Sequence, residues 1–336
     1  METKSNWTLV TGGTGDIGVE LVKALLVRGE SVRVFSRDQT RQQEVRERLE
    51  SDRFPAERYR FFVGDVRDRE RLMRAFQGVG TVYHLAALKH VDSCEYNPDE
   101  TIKTNVQGAL NVIDAAIACN VERVIYSSSD KAAEPNSMMG ASKLIAEKLI
   151  VNANWHARCR FVSARFGNVM GSRGSVIPNW ERQLHDTGRI RVTDPDMTRY
   201  VMSTSQAVDL LLHASTLVGG EVVIRRMPAV KLLDLVHVFV ERYERQHHIE
   251  KGSTKWDIIG ARPGETISEM VLTAEEASRS VTDGQCYYLM PSMQFGARDY
   301  SRYQNMAKLS AKAIDSHDDV PVSREALRGF MGTWGV

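Results

Sequence analysis

The feature that most constrains this chain is a glycine-rich turn, Thr11-Gly12-Gly13-Thr14-Gly15-Asp16-Ile17-Gly18, set between an apolar β-rich run and an amphipathic helical pattern. Glycine at Gly12, Gly15 and Gly18 lets the backbone approach a diphosphate. The free N–H groups and the dipole at the start of the following helix then stabilise the negative charge. Standing alone, such a pattern is often only a tight turn. Between a strand and a helix it predicts a bound dinucleotide, held by Gly12, Thr14, Gly15, Asp16, Ile17 and Gly18.

Around that turn, short β-rich runs alternate with longer helical patterns as far as about residue 166. Strands are expected at Thr8–Val10, Val32–Phe35, Arg60–Val63, Thr81–His84, Arg123–Ser127 and Phe161–Arg165. Helices are expected at Ile17–Arg28, Arg41–Leu49, Arg69–Phe76, Pro98–Cys119 and Met138–Asn152. This alternation predicts an α/β fold, a doubly wound parallel sheet of the Rossmann type, with its ligand crevice at the carboxyl ends of the strands. Residues 1–166 are read as that dinucleotide-binding domain, with later segments returning to it. Beyond residue 166 the pattern breaks into Gly/Pro-rich loops and helices, as at Gly171–Pro178, Asp194-Pro195 and Arg262–Gly264. Residues 167–295 are read as a smaller substrate-binding cap, and 296–336 as a polar tail suited to an oligomer contact.

Composition narrows the partners. Lys+Arg 44 against Asp+Glu 43 leaves a net charge of +1, so no general field draws nucleic acid or an anionic membrane. Any anion must be held by a local site. The start of the chain, Met1 to Trp7, lacks the long apolar stretch of a signal peptide or membrane span, and a cytoplasmic location is expected. Cys94, Cys119, Cys159 and Cys286 are widely separated, and His247-His248 sits in a polar run. Neither pattern has the spacing of a metal site, and no metal is expected.

The second strand ends at Phe35-Ser36-Arg37-Asp38, where an NAD enzyme usually carries an acidic acceptor for the ribose hydroxyls. A hydroxyl and a guanidinium suit a 2′-phosphate instead, because arginine offers a charged planar fork to phosphate oxygens. Ser36 and Arg37 therefore point to NADP. Asp65 and Val66, after the third strand, are placed to meet the adenine. His84-Leu85-Ala86-Ala87, after the fourth, would line the middle of the cofactor.

The fifth strand runs into Ser127-Ser128-Ser129-Asp130-Lys131, followed by a helix carrying Met139 and Lys143. Hydroxyl, carboxyl and amine groups at a strand end over the crevice could supply acid and base to one bound molecule. A polar loop capping a helix would read the same way if the segment stood alone.

It does not stand alone. Leu85-Ala86-Ala87-Leu88-Lys89-His90-Val91, Thr104-Asn105-Val106, Ser128-Ser129-Asp130-Lys131-Ala132, Gly140-Ala141-Ser142-Lys143, Arg165-Phe166-Gly167-Asn168-Val169, Gly171-Ser172-Arg173-Gly174-Ser175-Val176-Ile177-Pro178, Asp196-Met197-Thr198-Arg199 and Arg262-Pro263-Gly264-Glu265 occur in that order. In these segments the chain resembles the extended short-chain dehydrogenase/reductases, and within them the UDP-N-acetylglucosamine 4,6-dehydratases of bacterial surface-sugar synthesis. The likeness runs over roughly residues 7 to 275.

The resemblance implies oxidation at C4 by NADP+, loss of the C5 proton and the C6 hydroxyl, and return of hydride to C6. It assigns Lys131 as the C5 base, Asp130 as the C6 acid and Ser129 to the C4 oxygen. Lys143 holds the nicotinamide ribose, Asn105 belongs to the cofactor site, and Lys89 tunes the site or relays a proton. A lysine base wants a lowered pKa and a carboxylic acid a raised one, shifts that a dry enclosure can produce. For a UDP-sugar, the resemblance assigns Lys89, His90, Asn168, Ser175, Val176, Thr193, Met197, Arg199, Arg262 and Glu265. Arg199 and Arg262 would grip the diphosphate and Glu265 the uridine ribose. A homo-oligomer, dimer or hexamer, is also expected.

One departure stands out. The tyrosine usual four residues before the active-site lysine is Met139 here, and a thioether carries no proton. The C4 hydroxyl proton then falls to Ser129 through a relay, to Asp130, or to water. Two other readings follow: a related nucleotide-sugar epimerase or 5,6-dehydratase using the same C4 oxidation, and a catalytically inactive NADP-sensing protein.

Overall fold

A computed structural model describes residues 7–333 apart from 156, 157, 263, 294, 296 and 297. Pro263 of the Arg262–Glu265 motif lies outside the described residues, as do the first six positions. The first parallel strands are β1 (Trp7–Thr11), β2 (Ser31–Ser36), β3 (Tyr59–Val63), β4 (Val79–His84), β5 (Arg123–Ser129) and β6 (Arg160–Phe166). They order as β3-β2-β1-β4-β5-β6 within a ten-stranded sheet. The sheet is the expected doubly wound α/β architecture, and the order reverses between β1 and β4, the position at whose carboxyl ends such sheets bind their ligands.

Burial explains the strands. Leu9, Val10, Val32, Val34, Val82, Val124 and Phe161 are all fully buried, because helices cover both faces of a parallel sheet. The sheet then continues past β6 through Val222–Arg225, which is parallel to it, and through the antiparallel strands Cys286–Leu289, Ser280–Thr282 and Ala307–Lys308. Segments from beyond residue 166 thus complete the large sheet. The remainder forms a second layer: a three-stranded sheet of Asn168–Val169, Thr198–Met202 and Ala229–Lys231, and a core around Trp180, Phe239 and Leu327.

Two expected elements differ in detail. The single helix foreseen at Pro98–Cys119 is Pro98–Thr101, a π-helical stretch Ile102–Gln107, and Gly108–Ala118. The widened turn carries Asn105, whose side chain accepts from the Leu88 amide at 2.8 Å and donates to the Leu88 carbonyl at 3.0 Å and to Ser142 Oγ at 2.9 Å. Such widened turns recur at functional sites. The residues expected as a polar tail pack on their own chain: Tyr303 is buried and hydrogen-bonds Glu221, and Leu327 and Met331 are buried. Among the described residues no helix is long and apolar enough to cross a membrane.

Candidate active site

The glycine turn follows β1 directly, and its tightness has steric causes. Gly12 adopts φ +68°, and a Cβ there would lie 2.8 Å from the Ala86 amide nitrogen. A Cβ on Gly18 would lie 2.4 Å from the Gly12 carbonyl, so the helix Asp16–Val27 reaches the turn this closely only because residue 18 is glycine. Its first turn starts at Gly15 with no side-chain cap. Those amides are the donors a diphosphate needs. Thr11 holds the β4 end in place: its Oγ1 accepts from the Ala86 amide at 3.2 Å and lies 2.7 Å from His84 Nδ1. Leu85, Ala86 and Ala87 therefore run alongside the turn, and Ile17 packs into the core below it.

At the end of β2, Ser36 is buried, and its oxygen accepts from Gln42 at 3.0 Å. The Arg37 guanidinium is exposed and stands 3.6 Å from Asp65. Asp65 also accepts from Arg67 at 2.8 Å, and hydrogen bonds from Arg67 outweigh burial to hold its carboxyl below the usual range. Val66 is buried against Gly108, and Asn111 pins its carbonyl at 3.0 Å. An exposed ion pair such as Arg37–Asp65 is worth only about 0–1 kcal/mol, so a phosphate could readily displace it.

The Asp130-Lys131 turn leaves β5 two residues later than expected. Ser128 and Ser129 are still strand, paired with Arg165 and Phe166 of β6, and Asp130–Ala132 forms a single 3-10 turn. Asp130 Oδ1 accepts from Ser129 Oγ at 2.7 Å, from the Lys131 amide at 2.8 Å and from Lys131 Nζ at 3.2 Å. Gly140, from the helix Met138–Asn152, approaches so closely that a Cβ would sit 2.6 Å from the Lys131 carbonyl. On that helix Met139 is buried, and Lys143 donates to the Ser127 carbonyl at 2.9 Å. Burial brings the Lys143 ammonium down to about 8.

Glu269, which the sequence motifs did not single out, completes the cluster. Its Oε1 lies 2.5 Å from Lys131 Nζ and 3.4 Å from Arg199 Nε, and its Oε2 accepts from Asn168 Nδ2 at 2.5 Å. The expected pKa pattern is therefore reversed. Burial alone would lower the Lys131 ammonium, but the carboxylates of Asp130 and Glu269 outweigh it and hold it above its usual value. Burial would raise Asp130, but Lys131 and the hydrogen bonds from Glu269 and Ser129 hold it low. The carboxyl that rises is Glu269, to about 7, through burial and the nearby Asp130. Burial and the neighbouring Asp130 charge together outweigh Lys131 and Arg199, so Glu269 is the carboxyl whose proton affinity rises. The only sequence signal was position: Glu269 stands four residues past the Arg262–Glu265 motif.

The substrate-side residues divide. Arg199 is already engaged: it donates to the carbonyls of Thr198, Thr266 and Ile267, contacts Met197 Sδ, and faces Glu269. The guanidinium is thus turned toward the backbone just before Glu269 and toward the Glu269 carboxyl. Thr193 donates to Met197 Sδ at 3.3 Å, on the same side. Arg262 is half-exposed with a distant partner, Asp92 at 3.9 Å, while Glu265 closes its own turn by accepting from the Arg262 amide at 3.0 Å. The loop Gly171–Ser175 folds over the glycine turn: Arg173 donates to Asp16 Oδ1 at 2.6 Å and to the Thr14 carbonyl at 2.9 Å, and its own carbonyl accepts from Lys89 at 3.0 Å. His90 packs on Gly174. Ser175 caps the helix Val176–Thr187, and its Oγ, like Ser128 Oγ and Asp130 Oδ2, is buried with no hydrogen-bond partner. Among the described residues no group of metal-binding side chains occurs.

Comparison with known proteins fits this geometry. An uncharacterised membrane protein of Methanocaldococcus jannaschii is 44% identical over 81% of this chain and 82% of its own. A UDP-N-acetylglucosamine 4,6-dehydratase (inverting) of Campylobacter jejuni is 37% identical over 87% of this chain and 84% of its own. A UDP-glucose 4-epimerase of Rickettsia rickettsii is 35% identical over 88% and 85%. The crystal structure of Pen from Bacillus thuringiensis superposes with a TM-score of 0.91 at 35% identity, covering 100% of this chain and 99% of that one. The sequence profile of the polysaccharide biosynthesis protein family matches residues 8–291. The chain belongs to that family, the extended short-chain dehydrogenase/reductases in which the nucleotide-sugar dehydratases and epimerases are found.

Proposed function

We propose that the chain is an NADP-dependent UDP-N-acetylglucosamine 4,6-dehydratase that yields a UDP-4-keto-6-deoxy-N-acetylhexosamine. The observation that carries this is the Asp130–Lys131 pair, with Nζ and Oδ1 3.2 Å apart at the carboxyl end of β5, the same edge of the parallel sheet as the glycine turn after β1. An adjacent carboxyl and amine suit an elimination, which needs a proton removed and a proton delivered on neighbouring carbons. The Campylobacter jejuni relative supports the substrate.

The residues suit the cofactor. Gly12 and Gly18 form the cradle, the uncapped helix start offers amides to the diphosphate, and Arg37 faces the position of a 2′-phosphate. A dinucleotide held there would supply reversible hydride transfer, taking hydride from C4 and returning it at C6. Lys143 orients the nicotinamide ribose, and Ser129 contacts the C4 oxygen. Lys131 removes the C5 proton, made acidic by the C4 ketone, and Asp130 protonates the departing C6 hydroxyl. Arg262 and Ser175 hold the diphosphate side of the substrate, and Arg173 and Lys89 close the loop over it.

Incubation with UDP-N-acetylglucosamine followed by mass spectrometry tests the reading, with loss of one water expected. In heavy water, deuterium should enter C5 while C6 receives the hydrogen originally on C4. The Rickettsia relatives favour a second reading, a 4-epimerase, for which the product mass would be unchanged. Unchanged substrate in every assay would leave a cofactor-binding protein without turnover.

A further inference from the structure

Glu269 has no part in the chemistry so far, yet it is the most constrained carboxylate near Lys131. It immediately precedes the strand Met270–Leu272, which pairs with Ile314–Asp315. Its amide donates to Ser316 Oγ at 2.9 Å, and the Ser316 amide donates back to the Glu269 carbonyl at 3.0 Å. Ser316, fully buried, is tied in turn to Thr198. The charged and polar groups facing the Glu269 carboxyl are Lys131 and Asp130 from the turn after β5, Arg199 from the strand Thr198–Met202, and Asn168 from the strand Asn168–Val169. A carboxylate this buried, held by three other segments and ending 2.5 Å from an ammonium, is placed to exchange a proton with it, with Asp130 alongside.

We infer that Glu269 is the proton partner of Lys131, a positioning residue that takes the ammonium proton and so presents lysine to the substrate as the neutral amine. The inference rests on the dehydratase reading above. In the step itself an N–H bond on Lys131 breaks and an O–H bond on Glu269 forms, so ammonium and carboxylate become amine and carboxylic acid with no net change in charge. The amine then takes the C5 proton, and the C5–H electron pair moves toward the C4 carbonyl. The proton on Glu269 passes to the adjoining Asp130 and on to the C6 hydroxyl, which leaves as water. Lys131 is again ammonium, and both carboxylates are again ionised. Over the full cycle the C4 hydroxyl proton replaces the one that departs in water.

The arrangement explains how a lysine held above its ordinary pKa can still act as a base. Its proton moves over one hydrogen bond to a carboxylate of unusually high proton affinity and need not be lost to solvent. Glu269 must be ionised to accept it. Because burial and Asp130 raise that carboxyl to about 7, activity should be present above that pH and fall as pH drops through it.

The experiment is a pH profile of turnover for the wild type, Glu269→Gln and Glu269→Asp, read together with C5 deuterium uptake. The amide keeps an oxygen for the Lys131 hydrogen bond but cannot take the proton. Glu269→Gln should lower turnover and C5 exchange about 10²-fold and remove the acid-side fall near neutrality. Substrate-driven cofactor reduction should survive, and Glu269→Asp should restore part of both. Near-normal turnover of Glu269→Gln, or an equal loss at every pH with the acid limb unmoved, would overturn the inference and leave Glu269 a structural residue.

A second measurement needs no turnover. With lysine labelled with carbon-13 at Cε, the Lys131 resonance, assigned by its loss in Lys131→Ala, should show a step near neutrality in the wild type that is absent from Glu269→Gln. Absence of that step from the wild type would also overturn the inference. A wild type that removes no water from UDP-N-acetylglucosamine but keeps the step would sink the dehydratase reading alone.

Discussion

From Thr11 to Gly18, eight consecutive residues supply a strand end, a turn at φ +68°, and the uncapped start of a helix. Around Lys131 nothing is consecutive beyond Ser129 and Asp130. Glu269 is 138 residues along the chain, and Asn168 and Arg199 arrive on two further strands. The first region recognises a diphosphate, a charge that backbone amides at a helix start can meet wherever that local structure forms. The second must move protons between groups whose affinities are matched. Matching requires burial and several charges within a few ångströms, which a short contiguous segment cannot enclose. Local geometry thus suffices for binding, and chemistry needs the assembled fold.

The largest effect should come from the centre of the assembled region. Lys131→Ala should lower turnover by about 10²–10⁴-fold, the loss expected for a positioned base, while leaving partial reduction of the cofactor by substrate. Single-turnover absorbance of the reduced nicotinamide separates the two. Near-normal turnover would show that the base lies elsewhere.

Next is the clamp that brings the distant segments together. Arg165, fully buried on β6, donates to Glu147 at 2.6 and 2.9 Å, to Glu276 at 2.7 and 2.8 Å and to the Val271 carbonyl at 2.9 Å. It links the helix that carries Lys143 to the strand that begins beside Glu269. Arg165→Leu leaves two carboxylates buried without their partner and should destabilise the fold by about 3–5 kcal/mol in denaturant unfolding. A loss below about 1 kcal/mol would mean that the clamp does not hold the cluster.

A smaller effect is expected at the locally encoded site. Arg37→Ala removes one charged hydrogen bond to a 2′-phosphate, so NADP affinity should fall by about 1.5–3 kcal/mol with NAD affinity unchanged. Calorimetric titration of both dinucleotides decides it. An equal effect on the two would show that Arg37 serves only Asp65.

The two cap arginines give the finest distinction. Arg262→Ala should weaken UDP-sugar binding roughly tenfold, about 1.4 kcal/mol, at unchanged turnover. Arg199→Ala should lower turnover more than affinity, because its guanidinium braces Glu269 and the neighbouring carbonyls. If Arg199→Ala behaves like Arg262→Ala, with its loss in substrate affinity, the bracing role fails and the diphosphate grip first expected for Arg199 stands.

Much of this protein was legible without coordinates, for particular reasons. The parallel sheet follows from apolar runs at regular intervals, since strands covered on both faces must be apolar throughout. The glycine turn follows from steric limits at Gly12 and Gly18 that operate between near neighbours. Asp130 and Lys131 were found because they are adjacent and stand at a strand end. What only the tertiary structure decided was which distant groups meet them: Glu269 against Lys131, Arg199 turned toward carbonyls and Glu269, and Ser316 of the supposed tail under the Glu269 strand. The directions of the Asp130 and Lys131 pKa shifts were misjudged for the same reason. A proton affinity depends on every charge within a few ångströms and on the water excluded around it. Neither is a property of sequence neighbours; both are set by the packing of segments that the chain brings together from far apart.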